Sequence, residues 1–271
     1  MHQRPICKYG PLFIHTFMES PIIVSGTPRA GTTWMQWFLS QHPRIHIHGQ
    51  EPKLPWGTML TWHEEMVEAG KWGKKSNQSA DVSRYPIPHY AGSNEKRCNE
   101  IFATMVKDFL CGFGPNKPRW GVKCLWLCTN QDIVAKINQL WPGTKWIICI
   151  RHPFTSFESQ RNTFVKDMDL DVWVKRWIAS VRFLDRNKGF LFQIDKLNKM
   201  GSTARKTQTD CLLKFLGEEP TKETDQFITE WQTVHKVRPT SERTFKLGDK
   251  RKQAMRKKYT KLVEYMRKLN Y

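Results

Sequence analysis

The stretch Pro21-Ile-Ile-Val-Ser-Gly-Thr-Pro-Arg-Ala-Gly-Thr-Thr-Trp34 reads as a short apolar strand, a glycine-bounded loop and a helix that starts near Thr32 or Thr33. Gly26 and Gly31 have the spacing of a phosphate-binding loop. A loop built for a nucleoside triphosphate continues with Lys-Ser or Lys-Thr. Here Thr32-Thr33 follow, and the cation lies inside the loop as Arg29. A lysine at the helix start reaches the β- and γ-phosphates, and the next hydroxyl holds magnesium. Moving the cation removes the reason to expect either a γ-phosphate or a bound metal. The loop amides and the helix N-terminus still suit an anion, with Arg29 set to stabilise charge on a departing group.

Outward from this loop, Trp34, Met35, Trp37, Phe38 and Leu39 crowd a short helix that His42-Pro43 ends, because the residue before proline avoids helical geometry. Residues 52–98, with Pro52, Pro55, Pro86 and Pro88, read as a loop-rich insertion on an acceptor side. Trp120 to Leu127 reads as a strand, and Asn130 as the cap of a helix carrying Ile133, Val134, Ile137 and Leu140 on one face. Lys145 to Ile150 is a buried parallel strand, and Trp173, Trp177, Val181 and Leu184 mark a helix ending before Gly189. Phe190 to Ile194 is a further strand. Strands alternating with helices predict an α/β fold, with a P-loop-type parallel sheet flanked by helices on both faces. The expectation is a single domain over residues 1–271.

The strand at Lys145 runs into Arg151-His-Pro-Phe-Thr-Ser-Phe-Glu-Ser159. Arg151 therefore falls at a strand's carboxyl end, where open α/β sheets bind ligands. Pro153 suits the first turn of a helix on which Ser156 and Ser159 present hydroxyls near the positive end of the dipole. An arginine and a helical serine make a pocket for a dianionic phosphate.

The chain has 271 residues, 39% hydrophobic and 25% charged, which is globular composition. Lys plus Arg number 44 against 25 Asp plus Glu, a net charge of +19, and such a surplus attracts anions. The run from Lys246 to Lys268 reads as a solvated basic helix. The 7 cysteines form no repeated pairs with metal spacing, and reduced, buried thiols are expected. No apolar run approaches the ~18 residues that span a bilayer, so a cytoplasmic location and no membrane span are the expectation.

The segment Pro28-Arg29-Ala30-Gly31-Thr32-Thr33-Trp34 resembles the phosphosulfate-binding loop of sulfotransferases, which use 3′-phosphoadenosine 5′-phosphosulfate (PAPS). It is similar to the arginine type found in carbohydrate, protein-tyrosine and bacterial members, with alanine in place of the usual serine. That change keeps the backbone contacts and loses one hydroxyl. Arg151 and Ser159 match the family's Arg-x7-Ser grip on the donor's 3′-phosphate. The resemblance implies a three-layer α/β/α fold, PAPS as donor, adenosine 3′,5′-bisphosphate as product and no metal. It further implies donor binding by Arg29, Ala30, Gly31, Thr32, Thr33, Trp34, Arg151 and Ser159.

For the chemistry, Arg29 is the candidate for charge on the leaving oxygen, because arginine stays protonated. Lys123 in Gly121-Val-Lys-Cys-Leu-Trp126 matches a lysine near the transferred group. The histidine that cytosolic members place after that strand is missing. Protein-tyrosine members instead use a glutamate after the first helix. His42-Pro43…Gly49-Gln50-Glu51 is similar with one residue more in the spacing, which makes Glu51 the preferred base, with His46 and His48 as alternatives. Arg243, Lys246 and Gly248 are placed for a loose further contact to the 3′-phosphate. The acceptor class stays open among small molecules, glycans and peptides. Two other readings compete: a P-loop kinase with a degraded lysine, and a basic polyanion-binding protein, although no nucleic-acid motif with aromatic platforms is evident.

Overall fold

The computed structural model describes residues 20–50, 60–65, 67–68, 95–111, 117–163, 167–230 and 246–271. Five strands form one sheet: β1 Ile22–Gly26, β2 Ile45–Gln50, β3 Arg119–Lys123, β4 Lys145–Ile150 and β5 Gly189–Gln193. Their order is β2-β3-β1-β4-β5, and every pair is parallel. β1 takes the centre because Ile-Ile-Val-Ser-Gly is buried at every position and has no polar face to show to water.

Among the described residues, besides a short helical segment at 60–65, the helices are α1 Thr32–Gln41, α2 Glu95–Cys111, α3 Gln131–Leu140, α4 Pro153–Thr163, α5 Leu170–Arg186, α6 Ile194–Lys199, α7 Ser202–Leu216, α8 Lys222–Thr229, α9 Asp249–Lys258 and α10 Thr260–Lys268. Side chains alternate along a strand, so each strand feeds both layers. Ile22, Val24, Ile147 and Cys149 pack with α1, α7 and α8. Ile23, Trp146, Ile148 and Ile150 pack with α3, α4, α5 and α10 on the other face. The result is the expected three-layer α/β/α arrangement.

Local signals account for the element ends. His42 caps α1 in an extended conformation, as the following proline requires. The Asn130 side chain accepts from Ile133 N at 3.2 Å and starts α3. Asp169 does the same for α5 through Val172 N at 3.0 Å.

Several expectations are corrected. The strand expected over Trp120 to Leu127 ends at Lys123, because Trp126 adopts a left-handed φ of 65° and the chain turns into a 3-10 helix, Leu127–Thr129. Trp126 N donates to Gly26 O at 3.1 Å, which ties that turn to the end of β1. Ile194 opens α6 and does not extend β5. The insertion expected over 52–98 is not irregular throughout. Residues 60–65 are helical, Leu60 enters the core, and α2 begins at Glu95. Residues 51–59 and 69–94 lie outside the described residues. The basic tail divides in two: α9 buries no residue, whereas α10 buries Leu262, Tyr265 and Met266.

Among the described cysteines, Cys98, Cys128 and Cys149 are buried thiols, Cys124 is half-buried and Cys211 exposed. No helix among the described residues is long and apolar enough to cross a membrane.

Candidate functional site

Because all five strands run the same way, their carboxyl ends share one edge. β1 leads there into the loop of Arg29, β3 ends at Lys123, β4 runs into Arg151, and β5 into Asp195 at the start of α6. Sequence-distant residues are thereby collected along one rim.

The loop after β1 depends on two glycines. Gly26 has φ +128°, and a Cβ there would lie 2.1 Å from the Cys149 carbonyl oxygen of β4. Gly31, at φ +88°, precedes α1 and, being glycine, brings no side-chain cap to the first N–H groups of that helix. Between them Arg29 itself takes a φ of 63°. A non-glycine residue held in the left-handed region is strained, and such strain concentrates at ligand sites. Thr27 Oγ1 is buried with no hydrogen-bond partner among the described residues, a polar atom left open at the loop's first residue. This set of amides, hydroxyl and cation fits a phosphate or phosphosulfate group.

The Arg29 Nε–H donates to Ser159 Oγ at 3.0 Å. The loop after β1 and the serine of α4 therefore meet at one point. Ser156 does not join them: it is fully buried, and its Oγ donates to Pro153 O at 3.0 Å and to His152 O at 3.1 Å within its own helix. The expectation that both serines present hydroxyls is corrected to Ser159 alone.

Arg151 is held from several sides. Its Nε–H donates to Asp195 Oδ1 at 2.9 Å, while the other carboxylate oxygen accepts from His152 N at 3.1 Å. Trp177 Nε1–H donates to the Arg151 carbonyl at 2.9 Å. The side chains of the ion pair are only 27% and 20% exposed, so water screens them weakly. Tyr271 packs edge-on against His152 at 5.5 Å and donates to Ile150 O at 3.4 Å. Burial lowers the His152 pKa, with Asp195 opposing it.

Lys123 is 5% exposed, and its Nζ donates to Thr33 Oγ1 at 3.3 Å. Burial lowers its pKa, because a sheltered ammonium lacks its water shell. β2 reaches the same place through a bulge: His48 pairs with Val122 and Gln50 with Lys123, which leaves Gly49 as the extra residue.

The remaining candidates divide. Ala30 is fully buried and Thr32 nearly so, while Thr33 is exposed at the first turn of α1. Trp34 is a core residue: its ring stacks on Phe38 at 5.3 Å and Phe192 at 5.2 Å, so what it brings to a loop ligand is backbone. His46 pairs with Trp120, further from the carboxyl edge than His48, and the two rings meet edge to face at 4.9 Å. Burial, His48 and Lys117 hold the His46 pKa down. Glu51 and Arg243 lie outside the described residues. Lys246 and Gly248 are exposed. Between them Leu247 N donates to Glu158 Oε1 at 2.8 Å, fastening the approach to α9 onto the helix that carries Ser159.

Sequence reasoning missed Thr27, Trp177 and Asp195. Asp195 had a usable signal, since it follows an apolar strand, the same placement that singled out Arg151. Trp177 enters the sequence reading only as a helix marker, and nothing in the sequence shows that its indole N–H reaches the Arg151 carbonyl.

Residues 21–190 match the model of a sulfotransferase family. Two curated relatives are similar over part of the chain. One, from Caenorhabditis briggsae and described as a protein-tyrosine sulfotransferase, is 27% identical over 137 residues, covering 49% of this chain and 40% of the relative. Protein-tyrosine sulfotransferase A of Caenorhabditis elegans is 21% identical over 172 residues, covering 60% of this chain and 40% of the relative. The chain thus spans about two fifths of the length of these relatives. Among solved structures, sulfotransferase STF9 from Mycobacterium avium superposes with a TM-score of 0.50 at 14% identity, covering 93% of this chain and 77% of that one, a likeness of fold.

Proposed function

The chain belongs to the sulfotransferase family, and we propose that it moves a sulfuryl group from PAPS to a hydroxyl or amine of an acceptor by in-line displacement. The observation that supports this most is the 3.0 Å bond from Arg29 to Ser159. It joins a triphosphate-type loop without the triphosphate lysine to a second cationic grip one strand away. ATP has no phosphate at the ribose 3′ position and gives that grip nothing to hold.

PAPS supplies the sulfuryl group and departs as adenosine 3′,5′-bisphosphate. The residues of this chain then have the following roles in the proposal. The loop amides from Thr27 to Thr33 and the uncapped start of α1 bind the 5′ side. Arg151 and Ser159 bind the 3′-phosphate. Arg29 stabilises charge on the leaving oxygen, a type of contact whose loss costs about 10²–10³ in rate. Lys123, with its depressed pKa, regains a counter-charge when the transferring group lies beside it. Glu51 is the proposed base on the acceptor, the residue after Gln50, whose backbone pairs with Lys123. Positioning of the two oxygens in line does much of the remaining work. The tyrosine sulfotransferases among the relatives favour a peptide or small-molecule acceptor over a glycan, and a phenolic hydroxyl within that class.

The test is ligand-dependent melting. Adenosine 3′,5′-bisphosphate without magnesium is expected to stabilise the protein by about 2.7 kcal/mol at a hundredfold excess over its Kd, far more than ATP. Transfer of labelled sulfate from PAPS to a panel of phenols, peptides and sugars then identifies the acceptor. A larger, magnesium-dependent shift with ATP would overturn the proposal in favour of a kinase. Equal, steeply salt-dependent shifts with any polyanion would favour simple polyanion binding.

A further inference from the structure

We propose that Asp195 and Trp177 are positioning residues that make Arg151 selective for a ligand phosphorylated at the ribose 3′ position. The inference rests on the donor reading above and extends it to residues outside the family motifs quoted earlier.

An arginine binds a dianion well only if its planar fork is presented in a fixed orientation, since otherwise ordering the side chain consumes much of the contact energy. Arg151 follows directly on β4 and needs that order supplied from elsewhere. Asp195 supplies it with both oxygens, one on Arg151 Nε at 2.9 Å and the other on the next backbone amide, His152 N, at 3.1 Å. A single carboxylate thus fixes the side chain and the peptide that carries it. Trp177 holds the opposite pole of the same residue through its carbonyl at 2.9 Å. With Nε committed to Asp195, the terminal amino groups of the guanidinium remain for an incoming oxyanion, which is the end-on fork that takes phosphate oxygens in pairs.

Placing a carboxylate beside an anion site has an electrostatic cost. Asp195 brings negative charge to the pocket, in a setting where the pair is mostly sheltered from water. On charge alone, neutralising it would tighten any anion. Orientation predicts the opposite sign, and that makes the proposal testable. The amide of Asp195→Asn puts an NH2 donor where one of the two accepting oxygens stood, so in the observed arrangement either Arg151 Nε–H or His152 N–H faces a donor. Trp177→Phe keeps the ring in the core and removes the N–H without altering charge.

The experiment is calorimetric titration of the wild type, Asp195→Asn and Trp177→Phe with adenosine 3′,5′-bisphosphate and with adenosine 5′-monophosphate, which lacks the 3′-phosphate. The expected result is a loss of about tenfold in the preference for the bisphosphate in both variants, with the monophosphate affinity within about twofold of wild type. Asp195→Glu, which keeps two oxygens, should recover part of the preference. An undiminished or increased preference in both variants would overturn the proposal, as would equal weakening of the two ligands, the mark of a merely structural role. A wild type that binds the bisphosphate no better than the monophosphate would instead overturn the donor reading, and this inference with it.

Discussion

Arg29 and Ser159, 130 positions apart in the chain, share a hydrogen bond of 3.0 Å. Arg29 stands on the loop after the central strand, and Ser159 on the second turn of the helix after the neighbouring strand. A left-handed φ at Arg29 and a parallel β1–β4 pairing in which Gly26 stands opposite Cys149 bring them together. The same hydroxyl lies within reach of a cation assigned to charge on the leaving group, so the two ends of the proposed donor site are mechanically joined.

Arg29→Ala is expected to lower turnover by about 10²–10³, with a smaller change in the affinity for adenosine 3′,5′-bisphosphate. Ser159→Ala should instead weaken the bisphosphate by about tenfold, the worth of one hydrogen bond to a charged group. Steady-state rates with PAPS and titration with the bisphosphate separate the two. Equal, mild effects on both quantities in both variants would count against the assigned roles.

Lys123→Met should lower turnover by about 10²-fold while leaving the melting temperature unchanged or higher. The ammonium is nearly buried and has Thr33 Oγ1 at 3.3 Å, so its charge is a cost to folding that methionine of similar volume removes. A fall in both turnover and melting temperature would mark Lys123 as structural.

Gly26→Ala should be among the most damaging single changes. Its Cβ would lie 2.1 Å from the Cys149 carbonyl oxygen, at a φ of +128°, so neither the neighbouring strand nor the local backbone can yield cheaply. A loss of more than about 3 kcal/mol in urea unfolding is expected.

Acidification should destabilise the protein through His152. Burial lowers its folded pKa below the unfolded value, against the opposing pull of Asp195 and Glu158 and with the help of Arg256 and Lys252. Between the two values the unfolded chain binds more protons, so stability falls as pH drops through the unfolded pKa near 6.5 and stops falling below the folded one. His46, whose pKa is also lowered by burial, acts in the same direction. Melting curves from pH 7.5 to 5 should be flatter in His152→Gln than in the wild type, and identical slopes would remove His152 from the account.

Much of this protein was written in short-range pattern. The spacing of Gly26 and Gly31, the apolar run from Lys145 to Ile150 and the cap at Asn130 each report the local geometry of a few consecutive residues, and the structure has each element where that geometry requires it. The parallel sheet follows from the alternation of elements, and the carboxyl-end placement of Arg151 follows from the sheet. The tertiary structure decided which groups meet. The contact of Arg29 with Ser159, the carboxylate of Asp195 on Arg151, the turning inward of Ser156 and the bulge at Gly49 that pairs Gln50 with Lys123 are matters of register and of packing between distant segments. A side chain's direction on a strand or helix can be read from its neighbours in sequence. The atom it touches depends on how separate strands slide and twist against one another, and that is settled only when both faces of the sheet are covered.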